Sequence, residues 1–407
     1  MLGLWFNHGD DYARGKPHDN LEILKRFGFT DFYILMKGTR RDVWDSPALY
    51  DRAAVLCGQA RDLGIRSHGV FICSEAPGRL QTHPEEGDLL RNGARSDSRI
   101  SHVNRAYQQW LLQSIRRAVK EFSLDGVQLD YLRYGYIGNG WSAEEEALYA
   151  SHGVDVSAIK QEIDSLYKPN APTDSLEPLF SRLKAGDQRM TALVSARRSV
   201  IRGYLKAVSD SLRRECPGVE LSVAMMPEGL DPDGYEISEL HYGQNYQDFL
   251  PLADHLFPMA YAAVFGKGPD WVGTIGRNAE AQVPGAVMGL ECSQPSTAVD
   301  LRNALRALFG LRLDGVCLFR YGRLVLAVRD EADTMLYNSY AGTVNRLILI
   351  RGTAELEMEC TLEEASFVRV KGHWDMIRAF GRFQSMREKH YEGELCVVGS
   401  WQTRKIG

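Results

Sequence analysis

The sequence predicts an α/β protein: a (β/α)8 TIM barrel with a long insertion after strand 4 and a small β-rich C-terminal appendage. Three observations carry this. Eight short apolar runs recur between residues 3 and 320, and stretches with helical spacing separate them, the count that closes a barrel. The runs are apolar throughout rather than alternating, as in a parallel sheet covered on both faces. The first run is followed by Asn7-His8-Gly9-Asp10-Asp11, not by the GxGxxG turn of the competing open doubly wound sheet.

Taken in order, the strands are residues 3–7 (GLWFN), 31–37 (DFYILMK), 66–73 (RSHGVFIC) and 125–130 (DGVQLD). The second half supplies residues 219–225 (VELSVAM), 254–261 (DHLFPMAY), 285–291 (GAVMGLE) and 314–320 (DGVCLFR). Between them, residues 50–63 carry Ala53, Cys57, Ala60 and Leu63 at helical spacing, and residues 103–122 carry Tyr107, Leu111, Ile115, Ala118 and Phe122. Val200, Tyr204, Leu205, Val208 and Leu212 repeat the pattern before a Pro217-Gly218 stop, and residues 301–311 form another helix.

The barrel is assigned to residues 1–340 and the appendage to residues 341–407, where residues 346–350, 355–360, 366–370 and 394–398 read as strands. Residues 135–190 break the repeat as an insertion holding Trp141, an acidic helical piece and a proline-bearing loop. Loops after barrel strands lie on the catalytic face, so the insertion is expected to form a lid or wall of the site.

Composition narrows the partners. The 407 residues include 48 basic and 53 acidic side chains, which leaves no electrostatic footprint for nucleic acid. Seven scattered cysteines do not form a disulfide framework. No apolar run reaches the ~18–20 residues of a membrane span. The start, Met1-Leu2-Gly3-Leu4-Trp5-Phe6, has no signal-peptide pattern. That implies a cytoplasmic location by default and leaves an exported mature form open. Oligomeric state has no signature.

Function in a barrel collects at the carboxyl ends of the strands. Asn7, His8, Lys37, Glu75, Asp130, Glu228, Tyr261, Glu291 and Arg320 stand there. One such group is often structural; a whole ring reads better as a site. Asp130 ends its strand beside Arg133, Tyr131 and Tyr134. A carboxylate near an anomeric carbon serves glycosidic cleavage as nucleophile, base or stabiliser, and Arg133 would hold it ionised. A structural Asp–Arg pair at the rim is the competing reading. Glu228 and Glu291 are the candidate general acids, since burial among apolar neighbours raises a carboxyl pKa. Glu228 is favoured because strands four and five are neighbours.

Sugar rings stack on aromatics and their hydroxyls need polar partners. Tyr134, Tyr261 and Trp141 are candidates for the first role, with Met259 beside them. Asn7, His8, Lys37, His68, Glu75, Gln128, Arg133 and Arg320 are candidates for the second. His68 lies inside a strand and reads equally as a core histidine. No GxxxxGK[ST], HExxH, CxxC or GxSxG pattern occurs, which disfavours nucleotide-driven, zinc-protease and serine-hydrolase chemistry. No cofactor is called for. A metal-dependent hydrolase using His8, His68 and a carboxylate is the weaker alternative.

The stretch from Asn104 to Tyr134, a helix running into DGVQLDYLRY, resembles the glycosyl-hydrolase-like family 10 proteins, whose pattern is approximately DGIHLDYIRYP. Residues 256–261 (LFPMAY) resemble that family's PMAY segment at the sixth strand, and residues 243–248, 289–290 and 314–319 resemble its neighbouring segments. The likeness spans residues 1–325 apart from the insertion. It implies a TIM barrel related to carbohydrate hydrolases, with Asp130 in the place of a fourth-strand catalytic aspartate. Gly135 stands where the family has proline. The expected function is cleavage of a glycosidic bond in a polysaccharide or glycoconjugate. A non-catalytic carbohydrate-binding barrel is the alternative.

Overall fold

The computed structural model describes residues 1–6, 21, 24–25, 28–166, 176–292, 296 and 298–320, and beyond them the backbone of seven strands. Eight parallel strands make the barrel: β1 (Leu2–Phe6), β2 (Asp31–Lys37), β3 (Arg66–Ile72), β4 (Gly126–Asp130), β5 (Glu220–Met225), β6 (His255–Pro258), β7 (Val287–Glu291) and β8 (Gly315–Phe319). Their order is β6-β5-β4-β3-β2-β1-β8-β7. A parallel bridge from Met259 to Gly289 brings the two ends of the sheet together.

The helices are α1 (Pro47–Asp62), α2 (Arg105–Phe122), α3 (Ala143–Ser151), α4 (Val156–Leu166), α5 (Glu177–Lys184), α6 (Gln188–Glu215), α7 (Pro269–Gln282) and α8 (Ala298–Leu308). Asn104 caps α2 by accepting from the Tyr107 amide at 2.9 Å. Among the described residues, no helix is long and apolar enough to cross a membrane.

Several elements escape the sequence reading, α4 and α5 of the insertion among them. The antiparallel pair Gly87–Leu89 and Arg95–Ile100 lies between β3 and α2; its second strand, RSDSRI, is too polar to register as buried. Helix α7 also escapes it: the helix contains Gly273 and Gly276, which dilute the helical pattern in the sequence. Packing explains Gly276: a Cβ there would meet Leu308 Cδ2 of α8 at 2.3 Å.

The insertion builds a core of its own from Ile137, Trp141, Tyr149, Ile163, Leu179 and Met190, among others. Helix α6 begins inside it, 12 residues earlier than the repeat at Val200 implies. Asp187 starts the helix by accepting from the amides of Arg189 and Met190. The first turns bury Leu193 and Val194 in the insertion core. The later turns bury Tyr204, Leu205 and Val208 in the main core.

The appendage contains a four-stranded and a three-stranded antiparallel sheet. The four-stranded sheet includes Leu324–Val328 and Thr334–Asn338, which precede residue 341.

Inside the barrel, Trp5, Tyr33, Val70, Phe257, Val287 and Cys317 pack together. The amino-terminal end is closed by charge. His68 Nε2 lies 2.8 Å from Asp31 Oδ1, Arg66 pairs with the same carboxylate at 2.8 Å, and the imidazole stacks on Tyr33 at 4.5 Å. His68 is thus the core histidine of its two readings. It pairs with Gly126, whereas Asp130 pairs with Ile72, four residues further along β3, or about 13 Å at the usual strand rise.

This packing requires a glycine at 126, where a Cβ would lie 2.1 Å from His68 Nδ1. Asp31 and Tyr33 leave the imidazole nowhere to go. Gly126→Ala is therefore expected to destabilise the fold by about 1–3 kcal/mol, the usual penalty for overpacking a filled core. A urea melt measures it; an unchanged midpoint would contradict this packing.

Candidate active site

At the carboxyl end of the strands the barrel opens into a cavity of about 440 Å³. Trp5, Tyr131, Tyr261, Phe265 and Phe319 wall it, with Asp130, Arg133 and Thr39 as polar members. Tyr261 and Phe319 stack at 5.7 Å between ring centroids. Among the described lining residues, Asp130 is the only carboxylate.

A strained turn aims Asp130. Tyr131 has φ 55°, a left-handed conformation unusual for a tyrosine. The turn folds the Tyr131 amide back onto Asp130 Oδ1 at 2.7 Å. Ser74 Oγ donates to the carbonyls of Tyr131 and Arg133 and holds the turn. Arg133 Nη1 stands 3.5 Å from the same carboxylate oxygen, and its guanidinium lies 4.3 Å from the Tyr131 ring centroid. Burial raises the Asp130 pKa above its ordinary value; Arg133 and the Tyr131 amide oppose that rise.

Glu228 stands just beyond β5, in the 3-10 turn Pro227–Leu230. Burial pushes its pKa up to about 7, against the pull of Arg133 and a hydrogen bond with Tyr242. Its Oε2 is buried and has no hydrogen-bond partner among the described residues. Glu228 does not line the cavity, but Met226 two residues earlier does, and Arg133 acts electrostatically on both carboxylates. Burial thus raises both carboxyls; Arg133 and the Tyr131 amide limit the rise at Asp130, while Glu228 reaches about 7 and keeps its proton near neutrality.

No family model matches the chain, and no curated protein matches it in sequence. Solved structures match in fold. The catalytic domain of β-amylase from Paenibacillus polymyxa superposes with a TM-score of 0.53 at 12% identity, covering 79% of this chain and 92% of that one. The glycoside hydrolase domain of PgaB (BpsB) from Bordetella bronchiseptica gives a TM-score of 0.51 at 14% identity, covering 78% of this chain and 93% of that one. β-Galactosidase from the psychrophilic Marinomonas ef1 gives 0.53 at 10% identity, covering 79% of this chain and 54% of that one. The chain has a TIM-barrel fold that glycoside hydrolases share; identities this low speak for the fold alone.

The cavity gathers Asp130, Arg133, Met259 and Tyr261 of the candidates named from the sequence. Asn7 and His8 lie outside the described residues. The other candidates are placed elsewhere, each for a physical reason. Glu291 ends β7, but its Oε1 accepts the Ala263 amide at 2.7 Å. It lines a separate pocket of about 100 Å³ with Ser296 and Asp300. Burial raises its pKa to about 7, yet it anchors the β6 loop rather than facing Asp130. Gln128 is fully buried and accepts from the Trp5 indole, so it positions an aromatic wall from below.

Lys37 is turned away by a β-bulge. The register slips between Leu35 and Lys37, which pairs Lys37 with Phe71 of the outer core. Its ammonium lines a second cavity. Glu75 bridges to Arg99, with 3.9 Å between Oε2 and Nη2. Arg320 sits with its guanidinium 5.9 Å from the Phe319 ring and is not among the lining residues. Tyr134 and Trp141 are buried beneath the insertion: Tyr134 donates to Glu145 at 2.8 Å and Trp141 to the Ile137 carbonyl at 2.8 Å. His68, tied to Asp31 at the other end of the barrel, is not available to the metal site that the weaker reading required.

Sequence reasoning missed the β6 loop residues Val264 and Phe265 and the role of Thr39. It also missed Tyr242, which lies near no strand end. The only signal for Phe265 was its position four residues after Tyr261 in a segment already singled out.

Proposed function

We propose that this barrel hydrolyses glycosidic bonds in a polysaccharide or glycoconjugate. The observation that carries the reading is Asp130: a single carboxylate, aimed by a strained turn and held by Arg133, in an aromatic-walled cavity. Rings such as Tyr261 and Phe319 suit the apolar faces of sugars. Asp130 acts as nucleophile or as stabiliser of the oxocarbenium-like transition state. Glu228 is assigned the proton for the leaving oxygen by its raised pKa and its place just after β5, not by a position in the cavity wall. The sequence resemblance to glycosyl-hydrolase-like family 10 and the barrel shared with glycoside hydrolases support the same reading. The test is release of reducing ends from a glycan panel, with Asp130→Asn as the decisive variant.

The two carboxyls set a pH profile. Asp130 works ionised, so activity falls on the acid side as it gains a proton. Glu228 works protonated and has a pKa of about 7, so activity falls again as pH rises through that value. The expected kcat/KM profile is a bell. With an aryl glycoside whose leaving group needs no proton, Glu228→Gln is expected to abolish the alkaline limb and keep the acid limb. An unchanged alkaline limb in that variant would remove Glu228 from the role.

A further inference from the structure

Beyond Thr39 lies a second cavity of about 230 Å³, and Thr39 lines both it and the Asp130 cavity. Lys37 forms its floor, Asp42 one wall, and Thr82 and Trp110 its outer part. The Lys37 side chain is almost wholly buried, with 1% exposure. Among the described residues its ammonium donates to one acceptor, the neighbouring Gly38 carbonyl at 3.1 Å, and lies 6.0 Å from the Tyr107 ring centroid. An ammonium has three donors, and leaving donors unsatisfied in a buried position costs free energy. Among the described residues no carboxylate stands within ion-pairing distance of it. Asp42 is the carboxylate whose charge acts most strongly on it, and each holds the other towards its charged form. Burial nonetheless lowers Lys37 to about 8 and raises Asp42 to about 6. A donor and an acceptor thus line one cavity without an ion pair between them, the Asp42 carboxylate also taking a hydrogen bond from the Gly38 amide.

Charge selects the occupant. The lining carries both signs, Lys37, Arg40 and Arg79 against Asp42 and Asp45, so an anion and a cation would each meet like charge. A neutral group that both donates and accepts satisfies both, and a sugar hydroxyl does so. Arg79, which also lines this cavity, is already committed to Glu86 through Nε and Nη2. We propose that the Lys37–Asp42 cavity is a second sugar subsite, continuous with the Asp130 cavity across Thr39, which takes a neutral, hydroxyl-rich unit of the same chain. This rests on the glycoside-hydrolase reading of the Asp130 site and adds to it: the protein prefers oligomers to single-sugar glycosides.

The test is calorimetric binding of neutral cello-, malto- and chito-oligosaccharides of two to six units to the full chain carrying Asp130→Asn, so that cleavage does not interfere. At least one ladder is expected to gain about tenfold or more in affinity at one step in length. Adding Lys37→Met, which keeps the length and removes the donors, is expected to flatten that step. Thr82→Trp, at the exposed rim, plugs the cavity without touching the core and is expected to flatten it too. A step that survives both substitutions, or no binding by any ladder, overturns the subsite. Turnover by wild type without a length step leaves the hydrolase and removes the subsite. A length step without turnover by wild type does the reverse.

Discussion

Asp130→Asn is expected to lower kcat on any glycan the wild type cleaves by about 10²–10⁴-fold, the range for a catalytic group acting in the transition state. KM should move little. The amide has the shape of the carboxylate, and its oxygen can still accept the Tyr131 amide that now lies 2.7 Å away. Folding should also survive, because burial disfavours the charged carboxylate at this position. A rate defect without a stability defect separates chemistry from architecture. Full rate in the variant ends the assignment. Binding by wild type with no release of reducing ends favours the carbohydrate-binding alternative, in which the variant loses affinity instead.

The largest effect on stability is expected at Arg197. Its side chain is fully buried. The guanidinium donates to the carbonyls of Leu240, Asn139, Tyr136 and His241 at 2.8–3.2 Å. It also lies 4.1 Å from the Tyr134 ring centroid. Every one of these acceptors is neutral backbone. Arg197→Met would leave four carbonyls without this donor; that of Tyr136 keeps the Asn139 amide, and the other three are each worth about 1–3 kcal/mol when buried and unsatisfied. A loss on the order of 4 kcal/mol or more follows, allowing for relaxation. Lysine should not rescue it, since a point ammonium with three donors cannot reproduce the planar fork. Urea denaturation measures the loss, and limited proteolysis between residues 143 and 187 locates it. A melt like that of wild type would show that the clamp holds nothing.

All eight barrel strands were legible because a strand buried on both faces writes itself as an uninterrupted apolar run. Asp130 was legible because it ends such a run next to a counter-charge. Lys37 was not: one extra residue at a bulge reverses which side a strand residue faces, and no local signal marks the bulge. Glu291 ends its strand as Asp130 does, yet two backbone amides of the β6 loop claim its carboxylate. Tyr134 and Trp141 read as sugar platforms because they are aromatics beside Asp130 in sequence. Only the three-dimensional path of the insertion shows that Trp141 packs in its core, while Tyr134 packs in the main core and donates to Glu145 of the insertion. Strand-end position predicts where a side chain starts, but the loops decide which ends share a cavity.

Helix α6 changes what the insertion can do. Twenty-eight residues run without a break, roughly 42 Å at the helical rise, and the two ends are embedded in different cores. A flap needs a hinge, and here the chain offers a girder instead. Swinging the insertion would bend α6 or tear one end from its packing. Consistent with this, none of the described residues lining the Asp130 cavity comes from residues 135–190, and the barrel and the insertion share one continuous helix.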